Sequence, residues 1–193
     1  PSSFYVYQQV YDQEGRPMEG VYVDRDENGV INADDKYFFH KPAADFTMGL
    51  NTTLTYKNWT LAASGHGSLG NYIYNNVASD GEMLADLWTN SFTSNRLESA
   101  LWSNFNQACY LSDYYIKDAS FFKVDNVTLG YTFPSLFKSA KLDRALGLNI
   151  YATVQNVATI TNYEGLDPEV FSGIDNNLYP RPRTYILGVK FNF

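Results

Sequence analysis

The closing stretch Thr184-Tyr185-Ile186-Leu187-Gly188-Val189-Lys190-Phe191-Asn192-Phe193 decides the fold. Tyr185, Leu187, Val189, Phe191 and Phe193 alternate with Thr184, Ile186, Gly188, Lys190 and Asn192, the period-2 pattern of a strand with one apolar and one polar face. The pattern recurs upstream. Phe46, Met48, Leu50, Leu54 and Tyr56 oppose Thr47, Gly49, Asn51, Thr53 and Thr55. Trp59, Leu61, Ala63 and Leu69 oppose Thr60, Ser64, His66 and Ser68. Val127, Leu129, Tyr131 and Phe133 oppose Asn126, Thr128, Gly130 and Thr132, and Leu148, Ile150, Ala152 and Val154 oppose Asn149, Tyr151, Thr153 and Gln155. A sixth segment, Phe4 to Tyr11, is aromatic and extended, with no clear facing.

These runs are about eleven residues long, against five or six for strands of soluble domains. Nine to eleven tilted residues is the length of β-structure that crosses a bilayer. The connections are one-sided. Lys57-Asn58 is a two-residue hairpin and Pro134 to Ala145 a short link, whereas Asp12 to Ala43, Tyr72 to Ala119 and Ala158 to Pro182 are long. Short turns on one side and long loops on the other are the layout of an outer-membrane β-barrel. Tyr56, Trp59, Tyr131, Phe133, Phe191 and Phe193 stand on the apolar face at the short-turn ends, where an interfacial aromatic girdle belongs. On the same parity, the charges Lys123, Asp125 and Arg183 fall on the apolar face only where strands would leave the lipid. A secreted β-sandwich also alternates, but it explains neither the strand length nor the one-sided loops.

Composition agrees. Of 193 residues only 18% are charged and 17% are aromatic, with 16 Tyr and 13 Phe. No apolar run approaches the roughly 18 residues of a spanning helix, and a mean hydropathy of −0.32 is compatible with a lipid face spread over alternate positions. A net charge of −7 without a basic cluster argues against a nucleic-acid partner. The single cysteine, Cys109, excludes an intrachain disulfide. Six strands fall short of the usual minimum of eight for a membrane barrel, so the chain is expected to be the C-terminal quarter or so of a larger one.

The sharpest local motif is Asp24-Arg25-Asp26-Glu27-Asn28-Gly29-Val30-Ile31-Asn32-Ala33-Asp34-Asp35. Oxygen-bearing side chains occupy positions 1, 3, 5, 9 and 12 of a twelve-residue loop, Gly29 holds the turn at position 6, and Val30 offers its carbonyl from position 7. Ca²⁺ needs six to eight hard oxygens at about 2.3–2.6 Å. The expected ligands are Asp24, Asp26, Asn28, the Val30 carbonyl, Asn32 (directly or through water) and Asp35, with Mg²⁺ as the lesser option. Asp35 is one methylene shorter than the usual Glu. The competing reading is an Asx-rich turn without an ion. The flanks Val21-Tyr22-Val23 and Tyr37-Phe38-Phe39 are β-like, so a helix-opening sensor is excluded and the expected role is structural.

Nothing points to catalysis. His40 and His66 lack partners at metal spacing, and there is no phosphate loop, nucleophile elbow or zinc helix motif. Asp86, Glu98 and Asp113 read as loop-surface carboxylates. The 72–119 loop carries Trp88, Phe92, Trp102, Phe105, Tyr110, Tyr114 and Tyr115, which could stack on sugars, dock a partner, or pack the loop on itself.

In order and spacing, several pieces resemble the C-terminal end of SusC/RagA-type TonB-dependent outer-membrane transporters of Bacteroidetes. They are Ser3 to Tyr7, the Asp24–Asp35 loop, Pro42 to Gly49, Gly70 to Asn75, Asp118 to Tyr131, Gln155-Asn156-Val157, Gly165 to Glu169, Tyr179-Pro180-Arg181 and Gly188 to Phe193. The resemblance implies a 22-stranded barrel of which this chain supplies the last six strands, with 183–193 as the terminal strand and the plug domain elsewhere. It implies import of oligosaccharides or peptides, driven through the TonB complex under a SusD-like surface lipoprotein lid, in a dimer of such pairs. Trp88, Trp102, Tyr110 and Tyr114 are the candidate contacts to substrate or lid. Thr47, Asn51, Thr53, Ser64, Asn126, Thr128, Asn149, Thr153 and Gln155 would line the lumen and touch the plug. Outer-membrane barrels resemble this chain's end too: their terminal aromatic is read by the insertion machinery, which would give Phe193, with Phe191 and Tyr185, the role of assembly signal. The rival reading is a secreted carbohydrate-binding β-sandwich with a structural calcium loop.

Overall fold

A computed structural model describes residues 3–87, 96–138, 145–176 and 178–192. In chain order its strands are β1 Phe4–Val6, β2 Gln9–Tyr11, β3 Pro17–Tyr22, β4 Tyr37–Phe39, β5 Phe46–Tyr56, β6 Trp59–Leu69, β7 Tyr72–Asn75, β8 Ile116–Asp118, β9 Phe121–Lys138, β10 Ala145–Thr161, β11 Ile174–Asp175 and β12 Thr184–Asn192. Two short helices, α1 Asn76–Gly81 and α2 Ser99–Ser103, lie between β7 and β8. No described helix is long and apolar enough to cross a membrane. The chain divides into two compact units. One gathers Pro1–Asp45, Gly70–Ser120 and Asn162–Tyr179; the other gathers Phe46–Leu69, Phe121–Thr161 and Pro180–Phe193.

The second unit is one antiparallel sheet of five strands in the order β12-β10-β9-β6-β5. These are the five alternating runs of the sequence. Register puts their apolar positions side by side: Leu54, Leu61, Leu129, Ala152 and Leu187 form one row, and Trp59, Tyr131, Ile150 and Val189 another. Among the described residues no second sheet covers this face: Leu54 is 62% and Leu187 85% exposed. A sandwich would bury it, and a membrane barrel presents it to lipid. The opposite face is knitted by polar side chains. Asn126 Nδ2 donates to Ser64 Oγ at 2.6 Å, Thr128 and Thr153 share a hydroxyl bond at 2.7 Å, and Asn149 Nδ2 donates to Thr132 Oγ1 at 2.8 Å. On that face the Tyr151 ring lies over Gly188, and a Cβ at position 188 would push that ring aside.

Three expectations are corrected. Lys123 and Asp125 do not belong to the apolar face. Pairing slips at Asp125 against both neighbours, between Ser64 and Gly65 on β6 and between Gln155 and Ala158 on β10. A bulge changes side-chain parity, so Lys123 pairs with His66 on the polar face and Asp125 Oδ2 meets His66 Nδ1 at 2.8 Å. Arg183 instead caps that irregularity, its Nη2 donating to the Val157 carbonyl at 2.8 Å. Secondly, Pro134 does not end β9, which runs 18 residues to Lys138. The proline lies beyond the last β6 pair, Trp59–Tyr131, and inside a slip against Gly147, so its missing N–H breaks no ladder bond. Thirdly, Phe4 to Tyr11 does not join the sheet: β1 pairs with β4 and β2 with β3 inside the first unit.

The first unit, built from the long connections, has its own core of Val6, Tyr74, Ala78, Phe105, Cys109, Tyr115 and Ile116, flanked by Phe4, Tyr37, Phe39, Tyr72 and Tyr114. These residues come from segments up to 110 positions apart, from Val6 to Ile116. The long connections are therefore a folded body rather than loose links.

Candidate metal loop and aromatic loop

After β3 the chain turns through Asp24–Asp35 and closes on a single 3-10 turn, Ala33–Asp35, that leads into β4. Asn32 caps the turn: Asp34 N donates to its Oδ1 at 2.8 Å, while its own N–H donates to Asp35 Oδ2 at 2.8 Å. Gly29 sits at φ 81, the left-handed conformation that position 6 needs. Asp24 Oδ2 accepts from Gly29 N at 2.7 Å, and Asn28 Oδ1 accepts from Val30 N at 2.7 Å. The loop thereby turns its carboxylates inward: oxygens of Asp24, Asp26 and Asp35 lie within 4.8 Å of one another. Asp35 is fully buried, and the N–H groups of Asn32 and Arg25 hold its carboxyl below the usual range. Three like charges this close repel, and a divalent cation among them would relieve that repulsion. The Asn28 amide, the Val30 carbonyl and Asn32 follow the same turn, with Asn32 Nδ2 donating to Val30 O at 3.2 Å.

The loop is tied to its surroundings by residues that sequence spacing does not single out. The Arg25 guanidinium lies 4.7 Å from the Tyr37 ring centre, and Lys36 lies 4.9 Å from that of Tyr7. The Tyr37 hydroxyl donates to Asp113 Oδ2 at 2.7 Å, and Asp113 Oδ1 accepts from Gln9 N at 2.9 Å. Ser112 Oγ donates to Gln9 Oε1 at 2.8 Å. Asp113 thus spends both oxygens on joining β2, β4 and the aromatic loop. Burial and that hydrogen bond push the Tyr37 hydroxyl well above its ordinary value. His40 stacks on Tyr72 with ring centres 3.7 Å apart and nearly parallel, so its role is packing.

The aromatic loop does two things at once. Phe105 and Tyr115 are almost fully buried, and Tyr114 packs edge-on against both. Its hydroxyl is raised by burial. Trp102 and Tyr110 are half exposed; the Arg16 guanidinium lies 5.3 Å from the Trp102 ring centre, and the negative charge of Asp80 raises the Tyr110 hydroxyl above its ordinary value. Trp88 and Phe92 lie outside the described residues, as does Phe193. Phe191 and Tyr185 stand on the apolar face of β12, opposite Leu148 and Val154, and are 56% and 72% exposed.

No family model matches the chain. It is 46% identical over its whole length to the TonB-dependent receptor SusC of Bacteroides thetaiotaomicron, of which it covers 19%. It is 28% identical over 92% of its length to the TonB-dependent receptor P3 of Formosa agariphila, again covering 19%. Among solved structures, a RagAB peptide transporter superposes on the whole chain with a TM-score of 0.73 at 22% identity, and the chain covers 23% of it. The RagAB peptide importer in its closed-closed state gives 0.72, also at 22%. The chain therefore spans about a fifth of the length of the relatives it matches.

Proposed function

The chain belongs to the SusC/RagA-type TonB-dependent transporters of the outer membrane, which are not enzymes, and on that premise we propose that it is the C-terminal wall and outer loop body of an active importer of oligosaccharides or peptides. The observation that carries this is the 46% identity to SusC over the whole length of the chain. In this reading the polar sheet face, with Ser64, Asn126, Thr128, Asn149 and Thr153, lines the lumen and abuts a plug supplied by the rest of the protein. The TonB complex drives transport through that plug. A SusD-like lipoprotein closes over the outer loops, in a dimer of transporter–lipoprotein pairs. Trp102 and Tyr110 keep half of their ring surface available and are the better candidates for substrate or lid contact; Trp88 and Tyr114 complete the set. Tyr185, Phe191 and Phe193 form the terminal signal read during barrel assembly.

Within the outer loop body, the Asp24–Asp35 turn holds Ca²⁺ through Asp24, Asp26, Asn28, the Val30 carbonyl, Asn32 and Asp35. The convergence of three carboxylates at a glycine turn supports this, and Mg²⁺ suits the set less because it keeps several waters. The ion would stiffen the loop on which Tyr37 and Asp113 meet.

Uptake of labelled oligosaccharides and of labelled peptides, by cells carrying the full-length transporter with and without TonB, tests the import reading. TonB-dependent uptake of one class supports it and identifies the substrate; TonB-independent uptake, or none of either class, defeats it.

A further inference from the structure

The lipid-facing side of the sheet is not uniform. In the row Leu61–Leu129–Ala152–Leu187, Ala152 is three heavy atoms shorter than each neighbour. The dip opens a groove of about 610 Å³ lined by Trp59, Leu129, Tyr131, Phe133, Ile150 and Leu187. One wall is a braced run of rings: Trp59 meets Tyr131 edge-on at 4.8 Å, and Tyr131 meets Phe133 at 4.6 Å. Because each ring is held by the next, the groove exists before anything enters it, which reduces the ordering cost of binding.

We propose that this groove holds one acyl chain of a glycerophospholipid from the periplasmic leaflet. The occupant follows from position. The groove is continuous with a face that meets membrane lipid in this family of barrels. It begins one row above the Lys57–Asn58 hairpin, and short turns mark the periplasmic side. That leaflet is phospholipid, whereas lipopolysaccharide occupies the outer one. From Phe133 to Leu129 the groove runs about 13 Å along the strand at roughly 3.3 Å per residue, about 10 Å of depth at a strand tilt of about 40°, so within the roughly 15 Å of half a hydrocarbon core it takes the headgroup-proximal part of one chain. Lys57 at the hairpin tip, its ammonium 5.4 Å from the Tyr56 ring centre, stands at headgroup level and can pair with a lipid phosphate. A straight chain in the dip touches rings on one side and Leu187 on the other, contacts that the flush parts of the face do not offer.

The test uses full-length transporter in a mild maltoside detergent, titrated with phosphatidylethanolamine brominated in mid-chain. Trp59 emission is isolated as the difference between the wild type and Trp59→Phe. Quenching should saturate with lipid in the wild type. In Ala152→Leu, which fills the dip, it should need on the order of tenfold more lipid, the loss of about two buried methylenes of contact. Ala63→Leu, on the same face but outside the groove, should leave the titration unchanged. Heat-modifiable mobility checks that each barrel is folded, and Ala152→Met replaces Ala152→Leu should the latter misfold. Identical titrations for Ala152→Leu and wild type overturn the proposal. So does displacement by lipid A but not by phospholipid, or a change in oligomeric mass on Ala152→Leu, which would mean that a second copy of the chain covers the groove.

Discussion

Leu129 and Thr128 are neighbours on β9 at the same depth, and the sheet sends them to opposite faces. Leu129 lies between Leu61 and Ala152 on the apolar side, one row above Trp59 and Tyr131. Thr128 shares a hydroxyl bond with Thr153 on the polar side. Replacing each by Arg in the full-length transporter separates face from depth, because chain position, charge and bulk are matched. Arg at a lipid-facing midplane position costs about 2–4 kcal/mol and less toward the interfaces. Leu129 is one row in from the aromatic belt, so about 2–3 kcal/mol is expected, a loss of roughly 30- to 150-fold in the folding equilibrium. Thr128→Arg removes one hydroxyl bond, about 1 kcal/mol, or roughly fivefold, and its guanidinium meets polar groups. Urea-dependent refolding into phospholipid vesicles, followed by heat-modifiable mobility, measures both. Equal losses, or a greater loss for Thr128→Arg, would mean that the apolar face does not meet lipid, and the barrel assignment would fall with it.

Other outcomes can be checked on the same material. Calcium at about 100 times its dissociation constant should stabilise the outer loop body by about 2.7 kcal/mol, and Asp24→Ala with Asp26→Ala should abolish that effect; hydrogen exchange of residues 20–40 unaltered by chelator would refute the ion. Asp35 is held below its ordinary value of 3.8, so its ionised form favours the folded loop: that contribution is complete above the unfolded value and disappears as pH falls through the lower, folded one. Amide protection in the loop, corrected for the intrinsic exchange rate, should therefore fall only in acid, and Asp35→Asn should flatten that profile. Glu82, buried with its carboxyl raised by desolvation, works in the other direction, since its charged form opposes folding. Glu82→Gln should protect amides of residues 76–82 at neutral pH and change nothing below the ordinary Glu value; equal protection at both pH values would contradict this. Deleting Phe193 should nearly abolish folded barrel in cells while purified chain still refolds. An anchoring ring alone would cost about 1.5–3 kcal/mol, and normal surface levels would leave only that role.

The division between what the sequence discloses and what it conceals follows the range of the interactions. Alternation is local, so the five sheet strands and the two-residue hairpin are legible from Phe46, Trp59, Val127, Leu148 and Tyr185 onward. The calcium-type loop is legible for the same reason, since its donors, its glycine and its cap all lie within twelve residues. Parity carried through Asp125 misplaces Lys123, because a bulge is a property of two strands in register and no single strand displays it. Asn156, at φ 53 beside the slip, is the one residue type there that tolerates such a backbone, and it is the trace the bulge leaves in sequence. Pro134 is misread by a rule that assumes a ladder partner on the N–H side, when β6 has already ended.

The outer loop body lies furthest from a linear reading. Its organising bonds join Gln9 to Ser112 and Asp113, and Tyr37 to Asp113, across separations of 76 to 104 residues. An Asp in a long polar loop reads as surface because nothing nearby in sequence competes for it, yet Asp113 is the residue on which three segments converge. This also separates the aromatic residues into two groups that composition cannot distinguish. Phe105 and Tyr115 are consumed in the core that makes the loops a folded body, and Trp102 and Tyr110 remain half exposed on it. A long loop that holds rings outward needs an interior of its own, and among the described residues Phe105, Tyr114 and Tyr115 contribute to that interior.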